Sequence, residues 1–510
     1  MNNGIFVQDI YGKPGYDIGL PKPLTGSPSP FPMPYYYPGG DWRLDSKNLI
    51  LTIDLSLSST TTIGFTAGGT ASRNWSIDWG DGVIEMYTSF NNTTYLHTYN
   101  NIGIYNIQII GDIYAPRFSS QISLIKIISM GQPTTNLDYT TAFRFNTNLV
   151  SVPKNLSTNP AGFVQAFLGC TKLNDPNISN WNTTNFTTIN SIFFGCSLLN
   201  QNLGLWNTSN ITNLSQAFTQ AFSFNNGGST DINNWNTSSV TDMSSMFNGA
   251  SSFNQPLNNW NVRKVTNFTS MFNGASSFNS SLSGWALGAD TAGANCSSMF
   301  QGSAFNNSSI SSWDTSKVTN MGNMFFGANS FDQNIGSWNT SSVTDMSYMF
   351  SNNTTPISGF NNGGSSSISG WNTSNVTNMS FMFANRINFN QPIGSWNVSK
   401  VTNMSYMFQN SYNFNQDISN WNLAGLNANT SLDGFMLNKT GANAISTTNY
   451  DALLIGWNNN KLAATNGVAN WRTDLRPNFG GAKYTAGGAA ATARAALVSY
   501  GWTITDGGSV

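Results

Sequence analysis

The sequence predicts a repeat solenoid preceded by a small β-sandwich. The solenoid is predicted by tryptophans that recur along the middle of the chain with a base step of 25 residues, as from Trp235 to Trp260. A fixed period of this size is typical of units that bury their apolar face only by stacking on one another. The sandwich is predicted by short alternating apolar runs within residues 48–112, which are typical of antiparallel strands.

The repeat unit keeps its apolar positions constant. In the unit that ends at Trp260, these positions are Val240, Met243, Met246, Phe247, Ala250, Phe253 and Leu257. Their spacing fits neither one amphipathic helix nor an alternating strand, so we predict a coil that is part strand and part helical turn. The predicted repeat core comprises Trp235, Met246, Phe247, Phe253, Trp260, Met271, Phe272, Trp338, Met349, Phe350, Trp396, Met407 and Phe408.

Two units are longer than the base period. Extra residues follow Phe224 in the stretch NNGGST and follow Phe360 in the stretch NNGGSSS, and the second unit also has extra residues before Phe360. Because both units have an insertion after the same position, we predict that these insertions leave the stack as loops at one edge.

The first repeats carry a second, related motif. The stretches AFRFNTNLVSVP, from Ala142, and AFLGCTKL, from Ala166, place Asn or Cys three residues after the Phe and Leu three residues later. This pattern resembles the BspA-like leucine-rich repeats of bacterial surface proteins, and the 25-residue units resemble their DUF285-type relatives. The resemblance covers residues 120–430 and about twelve coils. It implies a leucine-rich-repeat-like solenoid with short parallel strands near Leu257 to Trp260 and its equivalents.

Residues 48–115 contain a separate motif. The stretch WSIDWGDG is followed by HTYNNIGIYNIQI, and together they resemble the PKD domain, an immunoglobulin-like module of surface proteins. The PKD-like turn consists of Asp78, Trp79, Gly80, Asp81 and Gly82, with Trp79 where the family has Phe. The resemblance implies a small immunoglobulin-like β-sandwich that acts as a spacer or adhesion unit.

Two of these residues admit a catalytic interpretation together with the only histidine of the chain. Asp78, Asp81 and His97 could be an acid, a base and a catalytic histidine. The structural interpretation is preferred because Gly-Asp-Gly is a tight-turn signature, in which Gly tolerates positive φ and Asp bonds its own backbone. We therefore expect His97 to satisfy a neighbouring strand.

The two ends of the chain differ from the repeats. Residues 1–47 contain PKPLTGSPSPFPMPYYYPGG, which favours an extended arm. We predict that this arm docks on a larger assembly; a disordered leader is the alternative. The candidate docking residues are Pro32, Pro34, Tyr35, Tyr36 and Tyr37. Residues 431–510 lose the period, and we predict a C-terminal cap with helical segments and a last strand.

Composition excludes several classes of partner. Only 8% of the residues are charged and the net charge is −1, so the chain lacks the cationic face that nucleic acid or an anionic membrane would require. No stretch reaches the roughly 18 to 20 apolar residues of a membrane span, so no membrane insertion is expected. One histidine and three cysteines leave no plausible zinc site, and we expect no metal and no cofactor.

Other side chains with reactive groups have structural explanations. Cys170 and Cys196 hold the small buried position of the repeat and are expected to be buried thiols. Asp242 and Asp345 share one repeat position with asparagines, which suits turn hydrogen bonds and does not suit acid catalysis. Those asparagines are Asn267, Asn320, Asn378 and Asn403. Because P-loops and nucleophile elbows are absent from the sequence, we predict that the chain is not an enzyme.

The predicted function is display and adhesion. The start of the chain has neither the basic nor the apolar region of a secretory signal, and a virion protein needs none. We therefore expect a virion structural protein for host attachment or decoration, on the virion surface. Its expected partners are other structural proteins of the assembly, through the arm, and a host surface protein or glycan; a homo-oligomer is possible. A bacterial cell-surface or secreted adhesin is the alternative, and a polysaccharide-binding accessory module is a further one.

Overall fold

The computed structural model describes residues 48–68, 74–88, 93–111, 115–131, 137–156, 160–352, 355–464 and 471–510. The arm predicted for residues 1–47 lies outside them. Its candidate docking residues Pro32, Pro34, Tyr35, Tyr36 and Tyr37 therefore have no structural description, and the arm stays a prediction.

Antiparallel sheets form the first part of the described chain. Their strands are β1 (Leu49–Asp54), β2 (Thr62–Ala67), β3 (Trp75–Asp78), β4 (Ile84–Tyr87), β5 (Thr94–Thr98), β6 (Ile104–Ile110), β7 (Pro116–Arg117) and β8 (Leu124–Met130). One sheet has the strand order β4-β3-β6-β1-β8 and the other has the order β5-β2-β7. Two of the apolar runs within residues 48–112, LILTIDL and YNIQII, contain β1 and most of β6, which pair antiparallel from Leu49 with Ile109 to Asp54 with Ile104.

Aromatic side chains join the two sheets to each other and to the repeats. Phe65 of β2 meets Trp75 of β3 edge to face, with ring centroids 5.7 Å apart, and stacks on Phe118 at 4.9 Å. Phe118 in turn stacks on Phe143 of the first repeat at 6.4 Å. The apolar core of the sheets is therefore continuous with that of the repeats.

Strand β8 connects the antiparallel sheet to the repeats through its backbone. One edge of β8 pairs antiparallel with β1. On its other edge, Lys126 forms a parallel bridge with Ser151, and the Ile127 N–H donates to the Ser151 carbonyl over 2.9 Å. The sheet thus covers the backbone groups of the first repeat, which would otherwise lack partners.

Successive repeats are joined by backbone hydrogen bonds. The Met243 N–H donates to the Asn267 carbonyl over 3.0 Å, and the Phe247 N–H donates to the Met271 carbonyl over 2.9 Å. Equivalent bonds recur from unit to unit, together with isolated parallel bridges such as Asp242 with Asn267. Each unit therefore satisfies part of its polar backbone on its neighbours and part within itself, as the Met246 N–H does on the Met243 carbonyl over 3.2 Å.

The prediction of a leucine-rich-repeat-like solenoid with short parallel strands and helical turns is wrong. The larger sheets of the described chain are antiparallel, and its two α-helices, α1 (Thr447–Ala464) and α2 (Ala489–Ser499), follow the repeats. Between described repeats, parallel pairing is limited to isolated bridges and to very short strands. These strands are β9 (Leu137–Asp138), which pairs with β10 (Pro160–Gly162), and β11 (Ala294–Asn295), which pairs with β12 (Val318–Asn320).

The backbone of the repeat unit explains why it forms neither the predicted parallel strands nor helical turns. Each regular unit places two residues in the left-handed region, as Ser245 with φ 54° and Gly249 with φ 71° do. Such residues interrupt both a strand and a helical turn. The other helical segments of the described chain are short 3-10 helices. Within the repeats they are Pro176–Asn180, Asn226–Gly228, Thr230–Asn234, Ser308–Ser312, Asn362–Gly364 and Ser366–Gly370, and outside them Leu55–Leu57 and Gly441–Asn443.

Three rows of rings fill the interior of the repeats, formed by the tryptophans, by the phenylalanines equivalent to Phe247 and by those equivalent to Phe253. The rings of Trp235 and Trp260 are parallel within 1° with centroids 6.0 Å apart, and those of Phe247 and Phe272 are 5.7 Å apart. Each tryptophan of the row also donates its indole N–H to a carbonyl of the preceding unit; Trp260, for example, donates to Ile232 over 2.9 Å. Indole donors that would be costly to bury are thereby satisfied.

The C-terminal segment continues this pattern with helices. Trp457 on α1 is fully buried and donates its indole N–H to the Ile418 carbonyl over 3.1 Å, as the repeat tryptophans do. The final residues pair in parallel with an earlier segment, at Asn478 with Thr505 and at Tyr484 with Ser509. Among the described residues, no helix is long and apolar enough to cross a bilayer.

Candidate functional site

The PKD-like turn brings together only part of the predicted acid-base group. Asp81 accepts at Oδ2 from His97 Nε2 over 2.8 Å and at Oδ1 from the Val83 N–H over 3.1 Å. Asp78 instead accepts from the Gly80 N–H over 2.9 Å and does not bond His97. The sequence predicts that the His97 side chain bonds a neighbouring strand. In the structure it bonds the turn carboxylate of Asp81.

The surroundings of His97 are structural in character. Its ring stacks on Trp79 at 4.9 Å and meets Tyr99 edge to face at 4.5 Å. Gly80, at φ 82°, lies so close to Asn106 that a Cβ would come within 2.4 Å of the Asn106 carbonyl oxygen. Among the described contacts no hydroxyl or thiol bonds His97, so an Asp-His pair is present without the nucleophile that a triad needs.

The predicted repeat-core residues are inaccessible to a partner. Trp235, Trp260, Trp338 and Trp396 are 2 to 3% exposed, and the predicted core methionines and phenylalanines are 0% exposed. These side chains therefore determine stability, and any binding surface must be built from other positions of the unit.

The cysteines are buried thiols. Cys170 donates to the Phe143 carbonyl and Cys196 to the Phe167 carbonyl, each over 3.1 Å. Burial raises the pKa of Cys170 to about 12 and also raises the pKa values of Cys196 and Cys296. Thiols held in this protonated form are poor nucleophiles and poor metal ligands. Within the described part of the chain, no group of His, Cys, Asp or Glu side chains could hold a metal ion.

The turn hydrogen bonds predicted for the mixed Asp/Asn position are present. Asp242 accepts from the Ser244 N–H over 2.8 Å, and Asn267 accepts from the Thr269 N–H over 3.1 Å. Asn320, Asp345, Asn378 and Asn403 accept from the residue two positions later in the same way. Carboxylate and amide oxygens are equivalent in this role, which explains why Asp and Asn alternate at this position.

A row of asparagines, not identified from the sequence, runs along the repeats. Each member directly follows the second phenylalanine of its unit or the equivalent residue. We call it the asparagine row; its members are Asn174, Asn200, Asn225, Asn254, Asn279, Asn306, Asp332, Asn361, Asn390 and Asn415. The sequence signal was the invariable Asn or Asp after that phenylalanine, from Phe224 to Phe414.

The asparagine row is fixed by bonds between units. The side-chain oxygen of each member accepts the backbone N–H of the next member, and after Asn415 that of Ser446, over 2.7 to 3.0 Å. A second donor usually reaches the same oxygen: Gln391 Nε2 bonds Asn361 Oδ1 over 2.8 Å, and Ser280 Oγ bonds Asn254 Oδ1 over 2.9 Å. These bonds hold the side chains in one orientation.

A second row of amide side chains has no such bonds between units. It directly follows the tryptophans and comprises Asn182, Asn207, Asn236, Asn261, Asp314, Asn339, Asn372, Asn397 and Asn422, which we call the tryptophan-adjacent row. Its side-chain oxygens accept only from the residue two positions later, as Asn236 does from the Ser238 N–H over 3.1 Å and Asn207 does from both the N–H and the hydroxyl of Ser209. Ala286 interrupts this row. Both rows are exposed or half-exposed, but only the asparagine row is bonded across units through its side chains. The tryptophan-adjacent row is bonded across units through backbone carbonyls, as Asn236 is by the Thr208 hydroxyl over 3.1 Å.

Three aromatic residues form a stack on the outside of the last repeats. Tyr348 stacks on Phe381 at 4.5 Å, and Phe381 stacks on Tyr406 at 4.7 Å. The outer face of Tyr406 is covered by Gly434, where a Cβ would come within 2.2 Å of the ring. Because these rings cover one another's faces, the stack offers edges and cannot serve as a stacking platform for sugars.

Lys439 is a buried cation at the end of the repeats. It is fully buried, and its Nζ donates to the carbonyls of Ser411 over 2.7 Å and Tyr412 over 2.9 Å. Burial lowers the pKa of its amine to about 7. In the unfolded chain the amine has its ordinary pKa of about 10.4, so above pH 7 the unfolded state binds more protons than the folded state.

This difference predicts that stability rises with pH. Between about pH 7 and about pH 8.5 the free energy of unfolding should increase by about 1.5 kcal/mol through Lys439. From about pH 8 upward the three cysteines act in the opposite direction, because their folded pKa values are raised while the unfolded thiols, with an ordinary pKa of about 8.5, lose protons. The contribution of Lys439 is therefore the difference in slope between the original protein and a variant that keeps the cysteines. Urea unfolding over this pH range checks the prediction. Lys439→Met, which keeps the cysteines, should lose the increase, and an equal slope in both proteins would contradict it.

Comparison with known proteins identifies one family. Its model, described as "Mycoplasma protein of unknown function, DUF285", matches residues 161–285, 226–301, 290–362 and 359–444. Together these segments cover more than half of the chain. No curated protein and no solved structure matches the chain. The comparisons give no support for a PKD-like domain in the antiparallel sheets, so that resemblance is confined to the turn and strand motifs themselves.

Proposed function

We propose, for a chain that belongs to the DUF285 family, a non-enzymatic role in structure and adhesion. The repeats would present long rows of neutral side chains to a partner surface. The observation that carries this proposal is the asparagine row, whose members are bonded from unit to unit while the rings beside them are buried. Such a surface is extended, rigid and nearly uncharged, which favours binding over a wide area.

We propose that the chain is displayed on a virion as an attachment or decoration protein, with a bacterial cell surface or secretion as the alternative. The proline- and tyrosine-rich residues 1–47 support the first, since a segment of this composition can dock on other structural proteins. The Mycoplasma named in the family description supports the second. The partner on the host side would be a surface protein or a glycan.

We further propose that the antiparallel sheets act as a PKD-like spacer. The turn from Asp78 to Gly82 supports this role, because its carboxylates are bonded to the turn backbone and to His97. Strand β8, which is hydrogen-bonded to both β1 and the first repeat, would hold the spacer rigidly against the repeats. A polysaccharide-binding accessory module is a further candidate, favoured by the exposed amide rows.

Immunogold labelling with antibody against residues 180–420 tests the proposal. Label on intact virus particles would support attachment or decoration, and label on cell envelopes alone would support the bacterial adhesin. Antibody preincubated with the purified repeats is the matched control and should abolish the label. Signal confined to the interior of cells, with none on particles or envelopes, would overturn the adhesion proposal.

A further inference from the structure

We infer that the asparagine row binds an extended, neutral polysaccharide chain. This inference rests on the proposed adhesion function and names the partner class and the surface. It starts from the orientation of the row amides. In Asn254 the side-chain oxygen accepts both the Asn279 N–H and the Ser280 hydroxyl, over 2.9 Å each. An amide whose oxygen is turned into the stack must point its NH2 group away from it.

The NH2 groups of the row are free to bind. Among the described hydrogen bonds, none uses Nδ2 of a row asparagine as donor, although other asparagines, such as Asn210 and Asn375, do donate. Asn174, Asn254, Asn279, Asn390 and Asn415 are exposed. Their side chains are already fixed by hydrogen bonds, so binding costs little side-chain entropy. The row is therefore a series of preorganised hydrogen-bond donors.

The spacing of these donors suits a polymer. Hydrogen-bonded neighbouring units lie about 4.8 Å apart, which is comparable with the length of one sugar in an extended chain. A polysaccharide could thus place one acceptor, a hydroxyl or ring oxygen, opposite each unit. Single contacts of this kind are weak, but linked contacts add through high effective concentration.

Charge selects a neutral chain over an acidic one. The row contains no cation, and its one charged member is Asp332, which accepts the N–H groups of Asn361 and Gly363 over 2.7 and 2.9 Å. A carboxylate in the middle of the row would repel uronic acids or sulfated sugars passing over it. A neutral chain would not be repelled there and would bond the amide NH2 groups on either side.

The tryptophan-adjacent row provides a matched control. Asn254→Asp with Asn279→Asp keeps the oxygen that bonds the next unit and removes two free NH2 groups. Asp332 already shows that the fold accepts a carboxylate at this position. Asn236→Asp with Asn261→Asp makes the same change of charge in the other row of neighbouring units. Both variants should keep the thermal unfolding midpoint within the range seen for surface substitutions.

Affinity electrophoresis of the full chain measures binding. The gels would contain a neutral β-1,4-glucan, a neutral β-1,4-mannan or polygalacturonate. We expect a neutral polymer to retard the protein and polygalacturonate not to. The Asn254/Asn279 variant should raise the dissociation constant about tenfold, as expected for one or two lost hydrogen bonds, while the Asn236/Asn261 variant should bind like the original.

Three results would overturn the inference: no retardation by either neutral polymer, equal loss in both variants, or stronger retardation by polygalacturonate. The proposed function can fail separately. If immunogold labels particles or envelopes but polysaccharide binding is absent, adhesion stands and the partner is not a neutral glycan. If surface label is absent but the row still binds polysaccharide, the adhesion proposal fails alone.

Discussion

Replacing Trp260 by alanine is expected to lower the free energy of unfolding by about 3 to 5 kcal/mol. The side chain is 3% exposed, its ring lies parallel to that of Trp235, and its indole N–H donates to the Ile232 carbonyl over 2.9 Å. The change removes a large apolar volume, leaves a cavity between two units and deprives the Ile232 carbonyl of a buried partner.

Denaturant unfolding followed by circular dichroism measures this loss. Trp260→Phe is the intermediate case, because it keeps a ring in the row but removes the hydrogen bond, and its cost should lie clearly below that of alanine. Leu205→Ala is the exposed control, since Leu205 immediately precedes Trp206 and is 81% exposed. A loss below about 1 kcal/mol for Trp260→Ala would mean that its neighbours close the cavity without cost.

The repeat core could be predicted from the 25-residue period because the buried rings recur with that period. Trp235, Phe247, Phe253 and the equivalent residues of the other units are buried. Buried apolar positions of this kind can be recognised from their spacing in the sequence. The N-terminal strands were predictable for a similar reason, since β1 and β6 alternate or concentrate apolar residues against a partner strand. The family suggested by the repeat motif agrees with the family model that matches residues 161–444.

The conformation inside the unit was not predictable from residue types. The left-handed positions are held by residues as different as Ser245 at φ 54° and Phe381 at φ 56°, although glycine is the residue that normally marks this region. Bonds to the next unit impose this backbone, as the Ser245 N–H bonds the Thr269 carbonyl over 2.8 Å. Contacts that lie about one unit apart in sequence override local propensity.

The asparagine row was missed for a related reason. Asparagine is common in turns because its side chain bonds its own backbone, and this explanation fits Asn236 and Asn267. It does not fit Asn254, whose oxygen bonds a residue of the next unit. The two roles use the same residue type, and only the three-dimensional stacking of units separates them.

Asp506→Asn is expected to lower the free energy of unfolding by about 2 to 3 kcal/mol. The Asp506 side chain is 3% exposed and accepts from Arg494 Nε over 2.7 Å and from the Tyr450 hydroxyl over 2.7 Å. Breaking a buried ion pair by removing one partner costs about 3 to 5 kcal/mol. The lower figure follows because the Arg494 side chain is 23% exposed and can be partly hydrated once it loses the carboxylate.

A double-mutant cycle with Arg494→Met separates the pair from the general effect of substitution. The double variant should be more stable than Asp506→Asn alone, because it removes the unpaired cation that the single variant creates. Asp474→Asn is the matched surface control, since Arg472 and Asp474 are 36% and 50% exposed, and no measurable change is expected there. Equal effects of Asp506→Asn and Asp474→Asn would show that burial gives the C-terminal pair no advantage. A large effect confined to Asp506 would mean that this pair anchors α2 to the last segment of the chain, and thereby stabilises the end of the repeats that α1 extends through Trp457.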